Sequence, residues 1–447
     1  MKLRSMMPVA MAVAILSAPA VHAAEDAPSQ ACIAHAAASL DALAHGDYAG
    51  ARKDFSEVIA GKLDAAKLEQ VWKQVQGSAG AYQSHDAVQP KALDGHAVAG
   101  AMLGFANMRL GFAAACDAQD RITTYRFVPA GVFAAGVAQS VETDGVRVSP
   151  LDVPTPVGPL RGALTLPQGG GPFPAVVLVA GSGPQDMDET IGPNKPFRDI
   201  AEGLARAGIA SLRYDKRTFD HPGHGADLTI DAEVTDDAVA ATRLLVQQQG
   251  IDPKRVFVLG HSLGASMAPR IGQRDPQLAG LVLMAAPARK ILDVIEQQVR
   301  EQQARAGRPP AAIKQAVQAV AQERKLLAGI APGQPAPAGA YGGMPQAYWL
   351  GWSRVDPLAE AKQLPSLPML ILQGGSDFQV SPTLDFAHWQ QELAGRPHTA
   401  FHLYPGLSHL FMPAGATGTL ADYKTPGHVD ARVIGDIAAW VKAQPAR

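Results

Sequence analysis

Cysteine is scarce in this sequence, with only Cys32 and Cys116 among 447 residues. Neither has a suitable histidine partner, which argues against cysteine catalysis. In an exported protein such a pair forms a disulfide or stays as two buried thiols, and the sequence leaves both open. An excess of either charge is also missing: the formal net charge is −2, with 18% charged residues. Without a basic run, no nucleic-acid partner is expected. After the first residues there is no stretch of ~20 uninterrupted apolar residues, so no membrane span is expected. The start, "MKLRSMMPVAMAVAILSAPAVHAAED", is different. Lys2 and Arg4, an apolar centre and small residues up to Ala23 read as a signal peptide over 1–23, and hence export to the periplasm or medium. A membrane anchor is the alternative, but the stretch is short and broken by Pro8 and Pro19.

Apolar residues are plentiful, at 47%, enough for one large core or two unequal ones. Over about 25–70 the chain is alanine-rich with helical spacing, and Leu68, Val71, Trp72 and Val75 define one helix face. Alternating positions then predict two or three strands, giving a small α+β domain over 25–130, followed by a connector over 131–145. From 146 to 447 continuously apolar strands such as "FPAVVLVAG", "RVFVLG" and "LPMLILQGG" alternate with helices. That pattern predicts an α/β fold with a mostly parallel sheet covered on both faces. An interval at about 288–350 holds two helical stretches, a Pro/Gly/Ala-rich loop and "AYWLGW". It is expected to form a helical lid over the C-terminal strand ends, where open α/β sheets bind ligands; a helical extension packed to the side is the alternative.

The stretch "FVLGHSLGAS" sets Ser262 between Gly260 and Gly264 where a strand meets a helix. About 0.2 matches to Gly-x-Ser-x-Gly would arise by chance, so the context must carry the reading. A strained strand-to-helix turn needs glycine on both flanks, and the helix N-terminus points N–H groups where negative charge would develop. A serine hydroxyl still needs a base and a residue to orient that base. Asp377 in "LPMLILQGGSDFQV" and His409 in "FHLYPGLSHLF" both follow later strands, on the same sheet edge as Ser262. A solvated turn residue and a loop histidine are the bland alternatives, and the joint order Ser, Asp, His outweighs them. Asp356 and Asp385 are weaker acid candidates because neither directly follows a strand. His402 reads as structural, and His221 with His224 reads as loop rather than a metal pair. Two backbone donors must hold an oxyanion. Leu263 supplies one, and Ser182 or Gly183 in "LVAGSGPQDMDE" the other.

These motifs resemble the α/β-hydrolase superfamily over about 146–447. "GSGPQDMDETIGPNKPFRDIAEGLA" and "LRYDKRT" resemble more narrowly its bacterial esterase/serine-aminopeptidase-like group, and "KLEQVWKQVQGSAGAY" resembles the N-terminal domain of unknown function found there. The resemblance implies an α/β-hydrolase fold and a Ser262–His409–Asp377 triad. Two positions depart from the pattern: Ala180 stands where a histidine often precedes the oxyanion glycine, and Ala265 replaces a frequent second glycine. The expected activity is hydrolysis of small-molecule esters with small or medium acyl groups, with Tyr348, Trp349 and Trp352 as substrate-binding candidates and neither cofactor nor metal. An aminopeptidase or amidase on the same triad is the alternative within enzymes, and a non-catalytic binding protein the alternative outside them. An aspartate-nucleophile dehalogenase or epoxide hydrolase is disfavoured by the serine at the elbow.

Overall fold

The computed structural model describes residues 27–93, 96–105, 109–129, 140–221, 227–331, 333–341, 344–414 and 418–447. The signal segment and most of the connector lie outside them, as does His224. The chain divides into two units, the first ending at Ala134.

In the first unit, helix α1 (Gln30–Ala44) is capped by Ser29, whose hydroxyl accepts the Cys32 N–H. A short α2 (Glu57–Lys62) precedes α3 (Ala65–Ala79), capped in the same way by Asp64. The sheet has five strands rather than two or three: β1 (Tyr82–His85), β2 (Gln89–Leu93), β3 (His96–Phe105), β4 (Arg109–Cys116) and β5 (Ile122–Pro129). All are antiparallel. Trp72 projects from α3 into the core, its ring centroid 5.4–5.7 Å from those of Tyr82, Phe105 and Phe127. Cys32 and Cys116 are joined by a disulfide across 84 residues of sequence.

The second unit is built on nine strands in the order β16-β15-β12-β11-β9-β10-β8-β7-β6. Its first part is a meander of β6 (Val141–Thr143), β7 (Val146–Pro150) and β8 (Gly162–Pro167). Asp144 and Gly145, both at positive φ, make the tight β6–β7 turn. The remaining strands are mutually parallel: β9 (Phe173–Val179), β10 (Ala210–Tyr214), β11 (Ile251–His261), β12 (Gly280–Met284), β15 (Met369–Gly374) and β16 (Thr399–Tyr404). Helices α4 (Pro196–Arg206) and α13 (Ala431–Ala443) cover one face, burying Phe197, Ile200, Val433 and Ile437 against the sheet. The other face carries α6 (Asp237–Leu245) and α7 (Leu263–Arg274), and the short α5 (Arg217–Asp220) is tied to the start of α6 by the Arg217–Asp237 pair.

The interval at 288–350 forms α8 (Ile291–Arg305), α9 (Pro310–Ala328), the two-stranded β13 (Ala340–Tyr341) and β14 (Met344–Pro345), and α10 (Gln346–Ser353). Helices α11 (Pro357–Lys362) and α12 (Ala387–Glu392) flank β15. The chain leaves β9 for β10 on one side, then returns to lay β11 on the other. That reversal is a topological switch point, and such sheets usually bind ligands at the C-terminal strand ends beside it. The segments following these two strands are 180–183 and the turn at Ser262. Among the described residues no helix is long and apolar enough to cross a membrane.

Candidate active site

Ser262 sits between β11 and α7 with φ +52° and ψ −112°, a strained conformation for a residue with a side chain. Its flanking glycines are required by contact. A Cβ on Gly260 would lie 2.2 Å from the Gly264 carbonyl oxygen, and one on Gly264 would lie 2.1 Å from that of Val179. The Ser262 N–H donates to the Met284 carbonyl at 2.9 Å, tying the turn to the end of β12. The Leu263 N–H is the first of α7 and so has no acceptor within the helix.

Asp377 and His409 are brought together by the loops after β15 and β16. His409 Nδ1–H donates to Asp377 Oδ2 at 2.7 Å, with both residues buried. Asp377 Oδ1 accepts the N–H groups of Gln379 and Val380, and Oδ2 also accepts from the Gln373 amide. The proton on Nδ1 leaves a lone pair on Nε2. Ser262 Oγ and His409 make no hydrogen bond with each other among the described residues. What joins their two loops is His261, next to the serine. Its Nε2–H donates to the His409 carbonyl at 2.9 Å, and the two imidazole centroids are 4.6 Å apart.

Sequence reasoning missed His261 and its partner Glu189. Nδ1–H of His261 donates to Glu189 Oε1 at 2.9 Å, and both side chains are buried. Burial opposes charge on His261, but the Glu189 carboxylate, the His409 carbonyl and Asp377 outweigh it and raise its pKa. Glu189 Oε1 also accepts the Gly181 N–H at 2.6 Å. Gly181 packs on the nucleophile, since a Cβ there would be 3.4 Å from Ser262 Cβ. With the Gly181 N–H engaged, the exposed Ser182 and Gly183 have the next amides along this loop. Further on, burial opposes charge on Asp188, but Arg213, Arg198 and Lys195 around it hold its carboxyl below the usual range.

The other candidates have separate partners. Asp385 is fully buried against Arg289, and Asp356 caps α11. His402 lies 3.5 Å from Asp436, and His221 donates to the Pro159 carbonyl. Tyr348, Trp349 and Trp352 are 3%, 7% and 7% exposed, so they pack in the core cluster rather than standing open to solvent. The Tyr348 hydroxyl donates to Glu233 at 2.6 Å, and Trp349 Nε1–H to the Tyr341 carbonyl at 2.6 Å. The insertion does reach the acid loop: the Gln298 amide donates to the Gln379 carbonyl, and Arg305 lies over the Phe378 ring.

Residues 176–419 match the alpha/beta hydrolase family. Esterase EstD of Thermotoga maritima is 41% identical over 285 residues, which cover 64% of this chain and 66% of that protein. The match thus spans slightly less than two thirds of the relative's own length. Among solved structures, the esterase domain of a Rhodothermus marinus protein is 18% identical with a TM-score of 0.40, covering 66% of this chain and 98% of that one. A Pyrococcus furiosus esterase is 14% identical with a TM-score of 0.43, covering 70% and 98% respectively.

Proposed function

The chain belongs to the alpha/beta hydrolase family, and from that premise we propose that it hydrolyses carboxylic esters through an acyl-enzyme on Ser262. Ser262 Oγ attacks the acyl carbon while His409 Nε2 takes its proton, and Asp377 orients the imidazole and stabilises its charged form. The Leu263 and Ser182 amides hold the oxyanion; the Gly183 amide, one residue on, is the alternative second donor. Collapse of the tetrahedral adduct breaks the bond to the alcohol oxygen, which leaves with the proton from His409. Water, deprotonated by His409, then attacks the acyl-enzyme and releases the carboxylic acid and Ser262. No cofactor or metal enters these steps.

The observation that carries this reading is the buried Asp377–His409 couple at the sheet edge that also bears the strained Ser262 turn. The esterase relative, 41% identical over its matched region, supports the choice of ester over other carbonyl substrates. The N-terminal signal-like segment and the Cys32–Cys116 disulfide support export to an oxidising compartment. The test is a panel of p-nitrophenyl esters from acetate to laurate beside aminoacyl p-nitroanilides. The proposal expects ester turnover, greatest at short or medium acyl length. Anilide turnover exceeding that of every ester would replace it with an aminopeptidase.

A further inference from the structure

The oxyanion loop is gripped from both sides by buried charged residues that the triad does not use. Gly181 donates its N–H to Glu189 Oε1 at 2.6 Å, and its carbonyl accepts from Lys216 Nζ at 3.0 Å. Both side chains are almost wholly buried. Glu189 holds a positive φ of 51°, a strained conformation that the surrounding bonds must maintain. Lys216 also lies 3.1 Å from Glu233, which in turn accepts the hydroxyls of Tyr348 and Thr218.

The carbonyl of Gly181 and the N–H of Ser182 belong to one planar, trans peptide unit and so point in opposite directions. An ammonium group bound to that carbonyl therefore aims the Ser182 N–H away from Lys216. Glycine at 181 would otherwise make rotation of this peptide easy. The rotated form would turn the N–H toward a buried cation, which the charge forbids.

We propose that Lys216 and Glu189 are positioning residues that clamp the Gly181 peptides, so that Ser182 presents its N–H to the oxyanion. This rests on the hydrolase reading above. The clamp does for this loop what its own sequence, Ala180-Gly181-Ser182-Gly183, has no side chain to do. Glu189 extends the grip to the general base, because the same Oε1 holds His261, which holds the His409 carbonyl.

The test compares kcat and KM on a p-nitrophenyl ester with the inhibition constant of a phenylboronic acid, whose serine adduct places an oxygen in the hole. Lys216→Met combined with Glu233→Gln removes the donor while keeping the buried charge balanced. The expected result is a kcat lower by roughly 10–100-fold with KM within about threefold, and a boronate constant raised by a similar factor. Lys216→Arg is expected to recover part of the loss. Asp237→Asn disrupts the nearby buried Arg217–Asp237 pair and serves as a stability control with wild-type kcat expected. A folded double variant with kcat within about twofold of wild type overturns the clamp. An equal kcat loss in Asp237→Asn overturns it too. If the double variant does not fold, Glu189→Gln is judged by the same kcat criterion, and failure of Glu189→Gln to fold as well counts against a specific positioning role. Wild-type protein that turns over no ester refutes the hydrolase reading instead, so the two failures are distinguishable.

Discussion

Gly264→Ala isolates the geometry of the elbow. The new Cβ would stand 2.1 Å from the Val179 carbonyl oxygen, 2.8 Å from its carbon and 2.9 Å from the Ala180 oxygen. Even close carbon–oxygen contacts are about 3.3 Å, so the overlap is about 1.2 Å. All three struck atoms are backbone, and no rotamer change relieves the clash. The start of α7 must therefore move away from the end of β9 by a comparable distance. The first of these segments carries the Leu263 N–H and the second leads to the Ser182 N–H. On the proposed mechanism, separating them would remove at least one donor from the oxyanion, at a cost of ~10²–10³ in kcat. Overpacking also lowers stability, by about 1–3 kcal/mol. Steady-state kinetics on a p-nitrophenyl ester, with urea titration of the same samples, measures both effects. Gly435→Ala is the companion control: its Cβ meets nothing within 4 Å, so kcat should be unchanged and stability raised by about 0.5–1 kcal/mol. A folded Gly264→Ala enzyme with kcat within about threefold of wild type would refute the reasoning.

Asp377→Asn removes the acceptor that fixes the His409 tautomer, and kcat should fall by about 10⁴ while KM changes little. A smaller loss than tenfold, measured at matched enzyme purity, would point to another acid. His261 is held with its pKa raised, so its contribution to stability is fully present below the ordinary value of 6.5 and is lost as pH rises through the higher folded-state value. Urea midpoints should therefore decline as pH climbs above that ordinary value, and Glu189→Gln should flatten this part of the profile. In the N-terminal unit, replacing Cys32 and Cys116 by serine opens a loop of 84 residues. Chain entropy puts the destabilisation at about 4.5 kcal/mol, read as faster hydrogen exchange across 27–129.

The features legible in the sequence are those set by local patterns. Strands β9, β12 and β15 and the second half of β11 are buried on both faces, so each reads as a largely apolar run, and Gly260 reports a steric contact within the elbow. Strands β1 and β2 carry "YQSH" and "QPKAL", which are largely polar and lack the alternation that marks a strand. Strand β6, only three residues long, falls at the end of what reads as a connector. Lys216 and Glu189 look like surface charges because their burial depends on partners distant in sequence, Gly181 being 35 positions before the lysine. Tyr348 reads as pocket lining for the same reason, since its hydroxyl partner Glu233 lies 115 positions away. On α9, Ile313 and Val317 recur at helical spacing with Val320 and Leu327, yet only the latter two are buried.

The central claim is that Ser262 is the nucleophile of an ester hydrolase. A fluorophosphonate probe with peptide mass spectrometry, run beside p-nitrophenyl ester turnover in wild type and Ser262→Ala, tests it most directly. Wild type is expected to carry a phosphonylated Ser262 and Ser262→Ala no label, with turnover in that variant reduced by about 10⁶. Unchanged ester turnover by purified Ser262→Ala, or labelling at another residue, would contradict it.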